Sequence, residues 1–273
     1  MHAAKPVALT IAGSDPSGGA GIQADLKTFH QFGVYGEAVI TLVTVQNTVA
    51  FGRVECLKAD LVAEQIRAVV SDIPPHAAKT GALGNREIIE ALADLAPGFQ
   101  FPLIVDPVIA SKHGGALLSG DAIAALKTRL LPHAFLLTPN IEEAELLTGR
   151  EVRDVAGMKA AAEALRKLGL RAVLVKGGHM SGSAIDVLLH EGGFVEFPGQ
   201  RIESRHTHGT GCTFSAAITA LLASGHELVE AIRAAKQYVG EAIRANPGLG
   251  AGMGPLNHHA AVRVARASAD PEE

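Results

Sequence analysis

Val7-Ala8-Leu9-Thr10-Ile11-Ala12-Gly13-Ser14-Asp15-Pro16-Ser17-Gly18-Gly19-Ala20-Gly21 runs from a short apolar segment into a glycine-rich turn, and residues 22–32 continue with helical spacing. An apolar run without polar alternation is the mark of a strand buried on both faces, and a helix directly after it covers one of those faces. The same pattern recurs along the chain. Residues 7–12, 38–45, 77–79, 103–105, 135–137 and 172–175 read as buried strands. Between them, residues 22–32, 60–71, 86–95, 121–131, 142–147 and 155–168 read as amphipathic helices. Strands alternating with helices predict an α/β fold with a mostly parallel sheet covered on both faces. Residues 185–190, Gly192-Gly193 and residues 194–197 then read as a hairpin, which gives the sheet antiparallel strands at one edge. Helices over 213–223 and 227–245 follow. No linker or low-complexity tract interrupts the chain, so it reads as one domain over residues 1–266 with a polar tail over 267–273.

The 273 residues are 48% hydrophobic with no Trp, so the core must be aliphatic, and the formal charge of −4 gives no case for a nucleic-acid or membrane partner. No apolar run reaches bilayer-spanning length, and the N-terminal residues lack a secretory cleavage pattern. The two cysteines, Cys56 and Cys212, lie far apart, which is no disulfide framework and fits a reducing cytoplasm.

In parallel α/β sheets, ligands sit in the loops after the carboxyl ends of strands. Those positions hold the unusual residues: Gly13 to Gly21, Gln46-Asn47-Thr48, Lys79-Thr80-Gly81, Asp106-Pro107-Val108, Thr138-Pro139-Asn140 and Lys176-Gly177-Gly178-His179. The segment His208-Gly209-Thr210-Gly211-Cys212-Thr213-Phe214-Ser215 adds a phosphate cradle. Its glycines let backbone N–H groups converge, and the apolar run 214–222 makes a buried helix whose positive end meets them. Cys212 stands at that helix start, where a thiol ionises most easily.

Several residues admit two readings. The Gly18–Gly21 loop lacks both the dinucleotide and the P-loop spacing. It is either a turn onto a helix or a close approach for a small ligand, with Asp15 or Asp25 bonding a hydroxyl. Asp25 is equally an exposed first-turn acid. Asn140 with Glu143 reads as a capping box, and the same pair with Asp106 can hold a hydrated Mg²⁺. Lys176 ends a buried strand, where an ammonium needs an anion such as phosphate. His206 and His208 lack a third ligand for a metal, and His258-His259 reads as surface.

These motifs, in this order, resemble those of the hydroxymethylpyrimidine/phosphomethylpyrimidine kinases of thiamine biosynthesis, members of the ribokinase-like superfamily. Residues 12–28, Val45-Gln46-Asn47-Thr48, Asp106-Pro107-Val108, Thr138-Pro139-Asn140, Val175-Lys176-Gly177-Gly178-His179 and Thr207 to Thr213 carry the likeness, which extends to about Ala260. The resemblance implies a three-layer αβα sandwich. It implies an enzyme using ATP and Mg²⁺ to phosphorylate 4-amino-5-hydroxymethyl-2-methylpyrimidine and then its monophosphate, as a cytoplasmic homodimer. It implies that Gln46 holds the ring with Gly13, Val45 and Ala20 around it, and that Asp25 lies by the substrate hydroxyl. Gly209, Thr210, Gly211 and Cys212 form the anion hole, and Cys212 stands where sugar kinases of the superfamily carry an aspartate base. Lys176, Asn140, Thr207 and Gly209 belong to the nucleotide side, and Asp106 and Glu143 to the metal. A Gln amide offers a donor and an acceptor together, which suits an aminopyrimidine edge. Three departures from the family's pattern sit at the pocket rim: His206 in place of Asn, Ala82 in place of Met, and Ser111-Lys112-His113. The competing readings are a pyridoxal or pyridoxine kinase of the same superfamily, and a binding protein that keeps the pocket without turnover.

Overall fold

The first apolar run becomes β1 (Val7–Ser14) and the helix after its glycine turn α1 (Gly21–Gln31). There follow β2 (Tyr35–Gln46), β3 (Phe51–Cys56), α2 (Ala59–Asp72), β4 (Ala77–Thr80) and α3 (Arg86–Leu95). Next come β5 (Leu103–Val105), α4 (Gly120–Ala125), β6 (Leu136–Leu137), α5 (Ile141–Thr148), α6 (Val155–Arg166) and β7 (Ala172–Val175). The hairpin β8 (Asp186–His190) and β9 (Gly193–Phe197) precedes α7 (Thr210–Ala223) and α8 (Leu228–Arg244). This computed structural model describes residues 5–110, 115, 117–178 and 184–263. His179, Ser111-Lys112-His113 and the tail over 267–273 lie outside the described residues.

All nine strands join one sheet in the order β3-β2-β1-β4-β5-β6-β7-β8-β9. The pairs from β2 through β7 are parallel, and β3, β8 and β9 are antiparallel to their neighbours. The expected three-layer α/β sandwich is therefore present, with antiparallel strands at both edges rather than one. The sequence reading missed β3 because an edge strand need not be apolar. Phe51-Gly52-Arg53-Val54-Glu55-Cys56 carries an exposed Arg53–Glu55 ion pair at 2.7 Å, as a charged edge commonly does.

Side-chain alternation divides the core between the two faces of the sheet. Leu9 and Ile11 of β1 pack with α2, α3, α4, α5 and α6, while Ala8 packs with α1, α7 and α8. Residues 121–131, read as one helix, instead form α4, a π-helical turn over Leu126–Leu130 and a 3₁₀ turn over Leu131–His133 that contains Pro132. The longest departure from surface-helix behaviour is α7, in which ten of fourteen residues are buried. A helix that is apolar all round must be enclosed. Its start lies three residues earlier than read, so Cys212 is its third residue. β1 lies between β2 and β4, and the chain reverses its direction of travel across the sheet there, which opens a crevice at the strands' carboxyl ends.

Candidate active site

A cleft of about 1390 Å³ occupies that crevice. Gly13, Ala20, Gln46, Asp106, Asn140, Glu143, Lys176 and residues 207–212 all line it. The motifs scattered over two hundred positions of sequence thus meet in one concavity.

At its floor is the first turn of α7. Gly209 caps the helix with φ +80°, and a Cβ there would lie 1.8 Å from the Gly19 carbonyl oxygen. Only glycine satisfies both the left-handed backbone and the contact. The first intrahelical bond is Thr213 N–H to the Gly209 carbonyl at 2.8 Å, so the N–H groups of Gly211 and Cys212 point along the axis at the cleft, carrying the positive end of the helix dipole. Thr210 is tied back, its hydroxyl donating to the Thr207 carbonyl at 2.8 Å.

The glycine loop after β1 is locked to this cradle by Asp15. One carboxylate oxygen accepts from the Ser17 N–H (2.9 Å) and hydroxyl (2.8 Å); the other accepts from the Ala20 N–H (2.8 Å) and lies 2.9 Å from His208 Nε2. Burial opposes charge on Asp15, but the bonds from His208 and Ser17 outweigh it and hold its pKa low. Asp15 and His208 are thus spent on each other, which accounts for His208 without a metal.

The nucleotide-side residues form a buried charge cluster. Lys176 Nζ donates to Asp106 Oδ1 at 2.9 Å, and the Ser215 hydroxyl donates to Asp106 Oδ2 at 3.2 Å. Burial opposes the Asp106 charge, yet Lys176 and Lys79 overcome it and keep its pKa below the carboxylate range. Lys176 is itself kept charged against burial by Asp106 and Glu143. Asn140 and Glu143 make the full capping box, at 2.8 Å from the Glu143 N–H to Asn140 Oδ1 and 2.7 Å from the Asn140 N–H to Glu143 Oε2. The cap reading is right, and the cap lines the cleft. Burial, with Asp106 adding to it, raises the Glu143 carboxyl to about 7 despite Lys176.

At the opposite end of the cleft, Gln46 closes β2, and among the described residues its amide makes no hydrogen bond, leaving both of its functions for a ligand. Gly13 and Ala82 lie alongside it. Strand alternation that turns Thr44 and Gln46 inward turns Val45 out: it is 63% exposed and does not line the cleft. Its side chain therefore takes no part in the cleft, and only its backbone is left for the expected place near the ring.

Asp25 needs a correction too. It is neither an exposed first-turn acid nor a wall of the cleft; it is wholly buried, accepting from the Thr10 hydroxyl at 2.6 Å and from Lys79 Nζ at 3.0 Å through both oxygens. Burial disfavours the Lys79 ammonium, but Asp25, then Cys212 and Asp106, raise its pKa. Lys79 was not among the residues read as site candidates. The signal was there: a lysine in the apolar run Ala77-Ala78-Lys79 demands a buried anion by the argument applied to Lys176. Asp186 was missed as well; it accepts from the Gly177 N–H (2.9 Å) and from Lys236 (2.7 Å), fixing the loop after Lys176.

Two further expectations fail. Cys212 is not a ready thiolate: burial raises its pKa to about 11, only partly opposed by Lys79. The helix start favours a thiolate less than burial, with the charges of Asp25 and Asp106 added, opposes one. His258 is not on the surface but 7% exposed, with Nε2 3.2 Å from the Thr213 hydroxyl, and burial lowers its pKa to about 4. Its neighbour His259 is exposed.

Known proteins share this chain's sequence and shape. The family model for phosphomethylpyrimidine kinase matches residues 15–257. A hydroxymethylpyrimidine/phosphomethylpyrimidine kinase of Rhizobium meliloti is 50% identical over 256 residues, covering 92% of this chain and 96% of its own. The crystal structure of a phosphomethylpyrimidine kinase from Clostridium difficile superposes with TM-score 0.79 at 44% identity, covering 88% of this chain and all of that one. The ADP complex of a Bacillus subtilis pyridoxal kinase gives TM-score 0.87 at 37% identity, covering 94% and 98%. With a matched model across most of its length and relatives of this identity, the chain belongs to the phosphomethylpyrimidine kinase family.

Proposed function

We propose that this protein transfers phosphate from ATP to 4-amino-5-hydroxymethyl-2-methylpyrimidine, and then to the resulting monophosphate, as a step of thiamine biosynthesis. Family membership supports the reaction class and the pyrimidine. The observation that carries the residue roles is that the α7 N-terminus lines one cleft with Gln46 and lies against the Lys176–Asp106 pair, a Cβ on Gly211 falling 3.5 Å from Lys176 Nζ and 3.7 Å from Asp106 Oδ2. Phosphoryl transfer asks for alignment and charge neutralisation more than covalent work. In this reading Gln46 holds the ring edge through its amide, with Gly13 and Ala20 alongside. Gly209, Thr210 and Gly211 present the cradle to the transferring group, and Cys212 faces the acceptor hydroxyl. Lys176, Asn140 and Thr207 meet the nucleotide phosphates.

Asp106 and Glu143 fit a divalent cation of the Mg²⁺ kind. They are two carboxylates in one buried cluster, in which Lys176 and Lys79 offset the Asp106 charge while the Glu143 carboxyl stays raised to about 7. No group of three or more His, Cys, Asp or Glu among the described residues could hold a metal. Mg²⁺ is suited to such a sparse set, since it takes its remaining ligands from phosphates and water. When bound it supplies neutralisation of phosphate charge.

The neutral Cys212 thiol cannot itself take the acceptor's proton. Its Sγ would accept a hydrogen bond from the alcohol and hold it in line. That proton leaves late in transfer to a phosphoryl oxygen and then to water, whereas the monophosphate acceptor has no such proton to lose at neutral pH. Tyr35, Val43, Val45 and Val49 expose an apolar surface along β2 and the turn after it, which supports association as a homodimer. No described helix is long and apolar enough to cross a membrane, and a cytoplasmic enzyme is the simplest reading.

The likeness to a pyridoxal kinase structure favours one alternative, pyridoxal as acceptor. A coupled ADP-release assay with ATP and Mg²⁺ separates the two. Turnover of both pyrimidines with little on pyridoxal is expected; preference for pyridoxal would overturn the substrate, and inactivity on all three would overturn the kinase assignment.

A further inference from the structure

Residues 250–260 cross the outside of the site and touch both of its ends. At one end the Met253 N–H donates to the Thr48 carbonyl at 2.8 Å, and the Gly252 N–H donates to the Thr48 hydroxyl at 3.3 Å. Thr48 lies two residues beyond Gln46 and does not line the cleft. Next the Gly254 carbonyl accepts from the His208 N–H at 3.1 Å, one residue before the Gly209 cap. Farther on, His258 Nε2 meets the hydroxyl of Thr213 on α7 at 3.2 Å, and the Tyr238 hydroxyl donates to the His258 carbonyl at 2.9 Å. Gln31 of α1 donates to the Ala260 carbonyl at 2.9 Å.

The approach is too close for side chains. A Cβ on Gly252 would lie 2.0 Å from the Thr48 carbonyl oxygen, and one on Gly254 would lie 2.1 Å from His206 Nδ1. The sequence Gly250-Ala251-Gly252-Met253-Gly254-Pro255 therefore builds a tight strap bonded to both loops. Misplacement of reacting groups by about 1 Å is enough to cost 10²-fold in rate, so the span between ring and cradle needs a fixture beyond the Asp15–His208 lock on its inner side.

We propose that this strap is that fixture, with Thr48 and His258 as positioning residues: it sets the distance from Gln46 to the first turn of α7 and thereby the alignment of acceptor and phosphate. The inference rests on Gln46 holding the acceptor ring. Loosening either anchor lowers turnover while leaving nucleotide affinity in place, since the strap bonds to Thr48, His208, Thr213, Tyr238 and Gln31 and, among the described residues, not to Lys176, Asn140 or Glu143.

The test compares the wild-type enzyme with Thr48→Val, Thr48→Ser, His258→Phe and the Thr48→Val/His258→Phe pair. Steady-state kinetics on hydroxymethylpyrimidine are measured with saturating ATP, and ATP KM separately. Loss of one hydrogen bond predicts about a fivefold lower kcat in Thr48→Val and in His258→Phe. ATP KM stays within about twofold, Thr48→Ser recovers wild-type kcat, and the pair is no worse than its worse member, because both cut one connection. Wild-type kcat in both single variants, a loss residing in ATP KM, failure of Thr48→Ser to recover, or multiplying losses in the pair would each overturn the proposal. Failure of the underlying reading looks different: wild type would not phosphorylate the pyrimidine, or Gln46→Ala would leave pyrimidine KM unchanged.

Discussion

The Asp25–Lys79 pair permits a quantitative prediction for Lys79→Met. Both side chains are 0% exposed, Lys79 Nζ sits 3.0 Å from each Asp25 oxygen, and among the described residues the only other bond to the carboxylate is the 2.6 Å one from Thr10. Removing the lysine strands a carboxylate in the core, a change that costs about 3–5 kcal/mol where buried pairs have been broken. At about 2 °C per kcal/mol for a chain of this size, the melting temperature should fall by roughly 6–10 °C. With Lys79 in place burial already holds the Asp25 carboxyl above its ordinary pKa. Without the lysine, the largest influence opposing that rise, the folded-state value climbs further and the stranded Asp25 escapes its charge by binding a proton. Such a group contributes stability that is present at low pH and lost as pH rises through the folded pKa. The deficit of Lys79→Met should therefore be larger at pH 8 than at pH 5.5. Asp25→Asn/Lys79→Met, with no charge left to strand, should regain more than half of the loss. The assay is thermal melting of wild type, both single variants and the pair at the two pH values. A Lys79→Met protein melting within about 2 °C of wild type, or a pair less stable than both singles, would refute the claim that the ion pair is satisfied chiefly by itself.

Two further outcomes follow from the site. Cys212→Ala should slow phosphorylation of the alcohol by about 10-fold while affecting the monophosphate step much less, because only the alcohol carries a hydroxyl hydrogen for the sulfur to hold in line; equal losses in separate assays of the two steps would sink that role. Glu143 titrates at about 7 in the folded chain against an ordinary 4.5, so its contribution to stability is whole below pH 4.5 and lost as pH rises through 7. The raised pKa amounts to about 3 kcal/mol between those limits. Denaturant unfolding should show wild type losing about that much more than Glu143→Gln between pH 4.5 and pH 8, and parallel profiles would contradict it.

How much was legible beforehand differs element by element. Residues 103–105 and 172–175 coincide with β5 and β7, and 86–95 coincides with α3, since burial on both faces or on one helical stripe writes itself into local periodicity. Edge strand β3 escaped because it has no such obligation, and the π-helical turn within 121–131 escaped because its apolar spacing reads as one continuous helix. In the site, Gly209 and the Asn140–Glu143 cap were readable because their chemistry is local: a left-handed cap and an i to i+3 pair. Asp25 and Lys79 were not, for their partnership joins positions fifty-four residues apart.

The sequence by itself determined the parallel α/β order, the glycine cradle at the start of a buried helix, and the set of loops from which a phosphate site is made. Those features depend on what each residue does to its own backbone and near neighbours. Only the tertiary structure decided which acids face the cleft and which are consumed beneath it, turned Val45 outward, buried His258, and set the Cys212 thiol near 11. Each of these is a property of a surrounding volume filled by distant segments, where desolvation and a partner's charge compete, and no local run of residues carries that information.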